Sequence, residues 1–413
     1  MNLIKSRYWK NVSVVMLGTL ISQALPMLFL TVLSRAFSVE SVGVYILWLS
    51  VSSVMVTIAT LSLEQSMYIV KTNIEVKSIF KSLFLSSALI LFSIYSVNFL
   101  LLFLFDISLI PKVIEVYAFQ VVVYAFMLSL LQGIYSWFIY NSKFKVLSIL
   151  KVSIATLVAL SQIIIIVIGC DLTDIIYTQV LITVGVIIFF QYREKLFPFV
   201  SERLLPIFDM LTLSKRFIYY STPASVVNAF VNQLPIMLIA SNYGVTFSAF
   251  YGLANKMLTV PSSLLSGSIM TVFRDEASTE YRNTGQCMIA YKKTLKSLLM
   301  ISVIPFLLIY LLAEFLFVLV FGEEWRIAGL YAKYLIPFVF IGFIASPLSY
   351  TLLLVQWQGI NLIWQVFLLF TCVVFFIGFD LIIAIQLYST IYSLMYLIYL
   401  MMSYQAAKGL SNK

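Results

Sequence analysis

The chain has 413 residues, of which 62% are hydrophobic and 10% charged, with a formal net charge of +9. Soluble domains carry about 45–50% apolar and about 25% charged residues, so these proportions exclude a soluble globular protein. Histidine is absent and the cysteines are only Cys170, Cys287 and Cys372, which excludes imidazole metal sites, histidine-dependent triads and a disulfide framework.

Apolar runs of helix length predict spans over residues 12–34, 42–63, 82–104, 113–138, 146–168 and 175–191 in the first half. The second half predicts 217–240, 247–272, 297–321, 334–355, 360–379 and 381–402. The expected class is therefore an all-α polytopic membrane protein with twelve transmembrane helices. A membrane β-barrel would alternate apolar and polar residues, whereas Leu83 to Leu104 is apolar almost throughout. Lys5, Arg7 and Lys10 precede the first run. No small-x-small cleavage pattern follows it, so it reads as a retained span.

If the spans alternate, 21 of the 26 basic residues fall on the side of the first terminus and four, Arg35, Lys112, Arg326 and Lys333, on the other. Lys151, near the start of its span, is counted with the adjoining connection, and Lys256 alone lies deep inside a span. The positive-inside bias puts both termini in the cytoplasm, and it accounts for the net charge without a nucleic-acid partner. The outward connections are short, the longest running from about Gly322 to Lys333, which leaves no outer domain for chemistry.

The longest cytoplasmic connection, about Tyr192 to Arg216, divides the chain into 1–205 and 206–413. Six spans on each side make the halves parallel repeats. Val39-Glu-Ser-Val-Gly-Val-Tyr45 can be laid on Val245-Thr-Phe-Ser-Ala-Phe-Tyr251, an offset of 206 residues.

Ionisable groups inside a membrane normally face a cavity or a partner. Lys256 lies nine residues, about 14 Å, from the outer end of its span, too deep to reach water easily. Gly252, Asn255, Thr259, Ser263 and Ser266 share its helix face at spacings of three and four, and Ser221, Ser225, Asn228 and Asn232 repeat the pattern one span earlier. Small polar residues also join helices in bundles; a lysine asks for more than packing. Arg35 either reaches the outer interface or closes the outer end of an anion path. Glu64 is a proton carrier, a partner for Lys256 or an interfacial carboxylate. Glu314 has no assignable role. Prolines 26, 223, 235, 261, 305, 337 and 347 fall within or at the ends of spans. No nucleotide-binding loop, acidic metal motif, paired nucleophile and base, or channel filter is present, which leaves a secondary transporter.

Six segments in order carry a family likeness. They are Leu33-Ser-Arg-Ala-Phe-Ser-Val-Glu-Ser-Val-Gly-Val-Tyr45, Thr60-Leu-Ser-Leu-Glu-Gln65, Tyr251-Gly-Leu-Ala-Asn-Lys-Met-Leu-Thr-Val-Pro261, Val272-Phe-Arg-Asp-Glu276, Phe321-Gly-Glu-Glu-Trp325 and Ile344-Ala-Ser-Pro-Leu-Ser349. The chain resembles the polysaccharide-exporting branch of the multidrug/oligosaccharidyl-lipid/polysaccharide exporter superfamily, above all the bacterial O-antigen flippases. The resemblance implies two six-helix lobes around a central cavity, in the bacterial inner membrane. It also implies a non-enzyme that flips an undecaprenyl-pyrophosphate-linked oligosaccharide, the O-antigen repeat unit of lipopolysaccharide, from the cytoplasmic to the periplasmic leaflet. No cofactor is implied; membrane potential or a proton or cation gradient would drive export, and other polysaccharide assembly proteins are possible partners beside membrane lipid. Lys256 and Arg35 match the family's cavity cations by position. The substrate contacts expected from both lines are Lys256, Arg35, Asn228, Asn232, Asn255, Ser225 and Thr259, with Glu64 as a coupling group. The family often has glycine where this chain has Ser62. The alternatives are a drug/cation antiporter of the same fold, which calls for an acidic cavity, and a membrane-embedded polysaccharide polymerase or ligase, which calls for a large outward loop.

Overall fold

The computed structural model describes residues 2–70, 72–194, 206–355 and 357–409. Lys71, Lys195, Arg203 and Lys413 of the basic-residue count, and the expected end of the first half at residue 205, lie outside the described residues. Among those described, every regular element is helical. In chain order the α-helices are α1 (Asn2–Ala36), α2 (Val39–Thr60), α3 (Leu63–Ser66), α4 (Asn73–Phe105), α5 (Ala118–Tyr140), α6 (Phe144–Ile168), α7 (Leu172–Glu194) and α8 (Ile207–Leu213). They continue with α9 (Thr222–Asn242), α10 (Val245–Thr284), α11 (Met288–Phe321), α12 (Arg326–Leu348), α13 (Tyr350–Leu354), α14 (Gln358–Gly378) and α15 (Leu381–Ala407).

Among the described residues ten helical stretches are long and apolar enough to cross a bilayer, so the chain is a multi-pass helical membrane protein. Two of the twelve expected spans fall outside that set of ten. One is α14, an apolar helix whose described side chains begin at Ile363. The other, α10, extends for 40 residues, but the hydroxyls and amides around Lys256 and the charges from Arg274 to Glu276 dilute its apolar character. The span expected at 334–355 begins earlier, because Gly322 to Trp325 forms a single tight turn and α12 starts at Arg326. Trp325 is fully buried against Phe250 and Phe321 and fixes that corner.

The chain forms two compact units, Met1–Gln233 and Leu234–Lys413. In the first, α1 lies along α6 and α5 sits among α2, α4 and α7. Lipid tails are as apolar as leucine, so van der Waals fit and hydrogen bonds hold such helices together. The fit is visible at Gly18, where a Cβ would stand 2.6 Å from Cβ of Ser148. The hydrogen bonds are visible between α2, α5, α6 and α7: the Tyr45 hydroxyl donates to Gln179 Oε1 (2.6 Å), Gln162 Nε2 donates to the same oxygen (2.9 Å), and Gln179 Nε2 donates to the Tyr124 hydroxyl (2.7 Å). Trp48 stacks between Tyr45 and Tyr124 at 6.1 and 4.6 Å.

In the second unit α12 packs against α10, α11 and α15. Gly329 lets α12 approach α11 so closely that a Cβ there would meet Glu314 Cα at 2.6 Å and Ala313 O at 2.9 Å. At the far end Glu280 of α10 caps α11, accepting from the backbone N–H groups of Ile289 (3.0 Å) and Ala290 (2.8 Å). The two segments related by the 206-residue offset each open a helix, α2 at Val39 and α10 at Val245.

Candidate functional site: a polar cavity in the first unit

The path of the chain after α2 positions this site. Leu61 and Ser62 both take left-handed backbone angles, with φ of 49° and 51°. Two successive non-glycine residues in that region carry strain of order 1–3 kcal/mol each. This break stops α2 at Thr60 and starts the single turn α3, which carries Glu64. It also supplies a reason for the glycine that the resemblance places at position 62, since glycine adopts positive φ without penalty.

Glu64 is half-buried, and its Oε2 is fully buried with no hydrogen-bond partner. Burial pushes its carboxyl pKa up, while hydrogen bonds at its backbone and with the Thr60 and Gln65 side chains oppose the shift. The carboxylate lines a cavity of about 540 Å³ with Ser53, Thr57 and Thr60 of α2, Gln132 and Tyr135 of α5, and Ser225, Asn228, Asn232 and Gln233 of α9. A π-helical turn, Phe217–Ser221, leads into α9 just ahead of Pro223. Proline lacks the N–H that would continue the regular ladder.

Several of these groups bond within their own helices. Ser53 donates to Ser50 O (2.9 Å), Thr57 to Ser53 O (3.0 Å), and Asn232 Nδ2 to Asn228 O (2.8 Å). Gln132 and Gln233 have no hydrogen-bond partner among the described residues, so their amides are available to a ligand. The cavity thus offers hydroxyl lone pairs, free amides and one carboxylate around a volume typical of small-molecule sites.

Ser225, Asn228, Asn232 and Glu64 are therefore brought together in one wall. Lys256, Asn255 and Thr259 belong to the second unit and are not among these lining residues; nor is Arg35, which stands exposed in the last turn of α1. Lys256 is half-buried and makes no hydrogen bond or ion pair among the described residues. Next to it, Asn255 is half-buried and Thr259 donates to Asn255 O at 2.7 Å. Sequence reading missed Gln132 and Tyr135 on α5, which carries no charge, although Ser129, Gln132 and Ser136 share one face at spacings of three and four. It also placed Lys151 in a cytoplasmic connection. That lysine lies within α6, 5.3 Å from the ring centroid of Tyr135 and 3.5 Å from Thr19 Oγ1, so a cation backs the cavity wall.

The profile of the family described as "Polysaccharide biosynthesis protein" matches residues 32–329, well over half of the chain. The chain belongs to that family. This member of the polysaccharide biosynthesis protein family matches no curated sequence. Its fold matches solved membrane transporters. Lipid II flippase MurJ in an inward closed conformation aligns with a TM-score of 0.74 at 16% identity, over 95% of this chain and 87% of that one. An inward-facing multidrug resistance MATE family transporter of the MOP superfamily aligns with a TM-score of 0.67 at 14% identity, over 96% and 97%. A mutant of the Vibrio cholerae MATE transporter VcmN aligns with a TM-score of 0.62 at 15% identity, over 97% of each chain. At these identities the likeness is one of fold.

Proposed function

We propose that this protein is a flippase that carries a lipid-linked oligosaccharide, the O-antigen repeat unit on undecaprenyl pyrophosphate, from the cytoplasmic to the periplasmic leaflet of the bacterial inner membrane. Both termini are then cytoplasmic, and the chain crosses twelve times as two six-helix halves, with the polar α10 and the apolar α14 as the two spans beyond the ten. The observation that carries the reading is the hydroxyl- and amide-lined cavity in a member of a polysaccharide biosynthesis family. Hydroxyls, amides and a tyrosine are the groups that hydrogen-bond and stack on sugars. In this reading Asn228, Asn232, Ser225, Gln132 and Gln233 hold the sugars. Lys256, with Asn255, Thr259 and Arg35, attracts the pyrophosphate, whose two or so negative charges a cation stabilises inside a membrane. An inside-negative potential favours outward movement of those charges by about 2.3 kcal/mol per charge per 100 mV.

The MurJ-like fold supports this reading, because MurJ is a lipid II flippase. The second reading, a drug/cation antiporter, rests on a specific observation: the cavity holds the Glu64 carboxylate, whose Oε2 is buried without a partner, which suits a proton or a cationic drug. The experiment is complementation of a strain lacking its O-antigen flippase, with Asn228→Trp as a cavity-filling variant. Restored surface polysaccharide that the tryptophan abolishes at unchanged membrane level supports the flippase. No restoration, together with resistance to cationic drugs, overturns it in favour of the antiporter.

A further inference from the structure

In the second unit two helix corners meet, α9 to α10 and α14 to α15. Asn242 Nδ2 donates to Phe376 O at 3.0 Å, and the Tyr243 hydroxyl donates to Phe376 O at 3.1 Å and to Phe379 O. These bonds satisfy carbonyls at the C-terminal end of α14. Among the described residues here, the charged group that remains without a partner is the Asp380 carboxylate. Asp380 is exposed, makes no ion pair or side-chain hydrogen bond among the described residues, and does not cap α15 through its side chain. Its carboxylate is near enough to the Tyr243 phenol to raise that group's pKa, second to burial. The C-terminal ends of α9 and α14, with partial negative charge, lie beside the first turns of α10 and α15, with partial positive charge.

Two clefts share Tyr243, Asp380 and Ile383. One, of about 680 Å³, is polar and includes Ser241 and Asn242. The other, of about 500 Å³, has walls of Phe247, Tyr331, Ile382 and Ile383. Tyr243 and Asp380 stand just beyond the membrane-crossing stretches that end at Asn242 and begin at Leu381, so the polar cleft is at headgroup depth and Ile382 and Ile383 lie at acyl-chain depth.

We infer that this paired cleft is a binding site for a membrane phospholipid with a primary-ammonium headgroup, of the phosphatidylethanolamine type, its ammonium on Asp380 and an acyl chain along Phe247. The complementarity is specific. An ammonium presents three N–H donors to the exposed Asp380 carboxylate and brings the opposite charge. A phosphatidylglycerol head is repelled by the carboxylate, and a phosphatidylcholine head has no N–H to donate. A metal ion has no use for the apolar half, and among the described residues no group of three acidic, cysteine or histidine side chains surrounds one. The site does not depend on what the protein transports.

Native mass spectrometry of the full-length protein in detergent tests it, with dioleoyl phosphatidylethanolamine, phosphatidylcholine and phosphatidylglycerol compared at equal concentration. The ethanolamine lipid is expected to bind about fivefold more tightly than either rival, the scale of one partly exposed charge pair. Asp380→Asn brings the three lipids to parity, and Asp380→Glu preserves the preference. Phe247→Ser weakens all three together. Equal binding of the three lipids by the unaltered protein, or an unchanged preference in Asp380→Asn, overturns the site. Displacement of the lipid by equimolar soluble ethanolamine overturns its amphiphile half. None of these outcomes reads transport, so the flippase proposal stands or fails separately.

Discussion

The helices α2 and α10 begin with related segments, yet their tyrosines meet different interiors. Tyr45 enters a set of amides, Gln162 and Gln179, with Trp48 stacked beside it. Tyr251 enters an aromatic cluster, edge-on to Phe376 at 6.1 Å and hydrogen-bonded to Tyr388. Tyr388 in turn stands 4.0 Å from the ring of Tyr392. The charges diverge too. At the 206-residue offset Lys256 corresponds to Ser50, and Glu64 corresponds to Met270. One unit thus carries a carboxylate and the other a lysine where its counterpart at this offset is uncharged. Helical bundles tolerate opposite electrostatics because helix packing in lipid asks for fit and satisfied polar groups, and the sign of a cavity charge is free to follow its ligand.

The strongest way to break that comparison is at the lysine. Lys256→Ala is expected to abolish surface polysaccharide at unchanged membrane level. Losing a desolvated charge from a charged contact costs about 2–5 kcal/mol, tens- to thousands-fold in affinity. Ser50→Lys in the alanine background should not rescue it, and near-normal polysaccharide in Lys256→Ala would remove that residue from the site. Next comes packing. Gly329→Ala should lower the melting temperature of the purified protein, since overpacking costs about 1–3 kcal/mol, whereas Gly185→Ala, with nothing within 4 Å of the new Cβ, should not. Gln179→Leu leaves Tyr45, Gln162 and Tyr124 short of a partner and should cost about 1–3 kcal/mol; Tyr388→Phe in the aromatic unit should cost less.

The smaller effects concern Glu64. A carboxyl whose folded pKa is raised holds its proton more tightly in the folded state, so its ionisation lowers stability as pH rises past the ordinary value of 4.5 through the raised one. Glu64→Gln should therefore raise the melting temperature at neutral pH, with the gain vanishing below about pH 4.5. Transport that still responds to pH in this variant would exclude Glu64 as the coupling group. Ser62→Gly should add about 0.5–1 kcal/mol by relieving one left-handed non-glycine residue.

Much of the fold was legible because bilayer thickness and apolar run length are directly linked. That link failed where function intervened. Around Lys256 the residues that make α10 worth noticing also remove it from the most apolar helices. Asn228, Asn232 and Ser225 were found from their spacing on α9. Gln132 and Tyr135 were not, although Ser129, Gln132 and Ser136 repeat the same spacing on α5; without a charge beside it, that short stripe did not stand out from helix-joining hydroxyls. Glu64 was visible as a charge, but its place in a cavity wall depends on the left-handed pair before it, and neither Leu61 nor Ser62 is a residue type that announces such a turn. Lys151 was misplaced because counting charges assigns a basic residue near a helix start to the adjoining loop, although its aliphatic stem lets it lie on Tyr135 within the bundle.

The serine and threonine hydroxyls of the cavity wall have a chemical consequence. Ser53 and Thr57, having donated their hydrogens to carbonyls one turn back, can only receive. That stretch of wall counts the O–H groups a visitor offers but hardly senses whether each points axially or equatorially. Discrimination among epimeric sugars would then fall to side chains that keep both roles, Gln132 and Gln233 among them, and changing those two should alter which glycans are accepted before it alters how fast they cross.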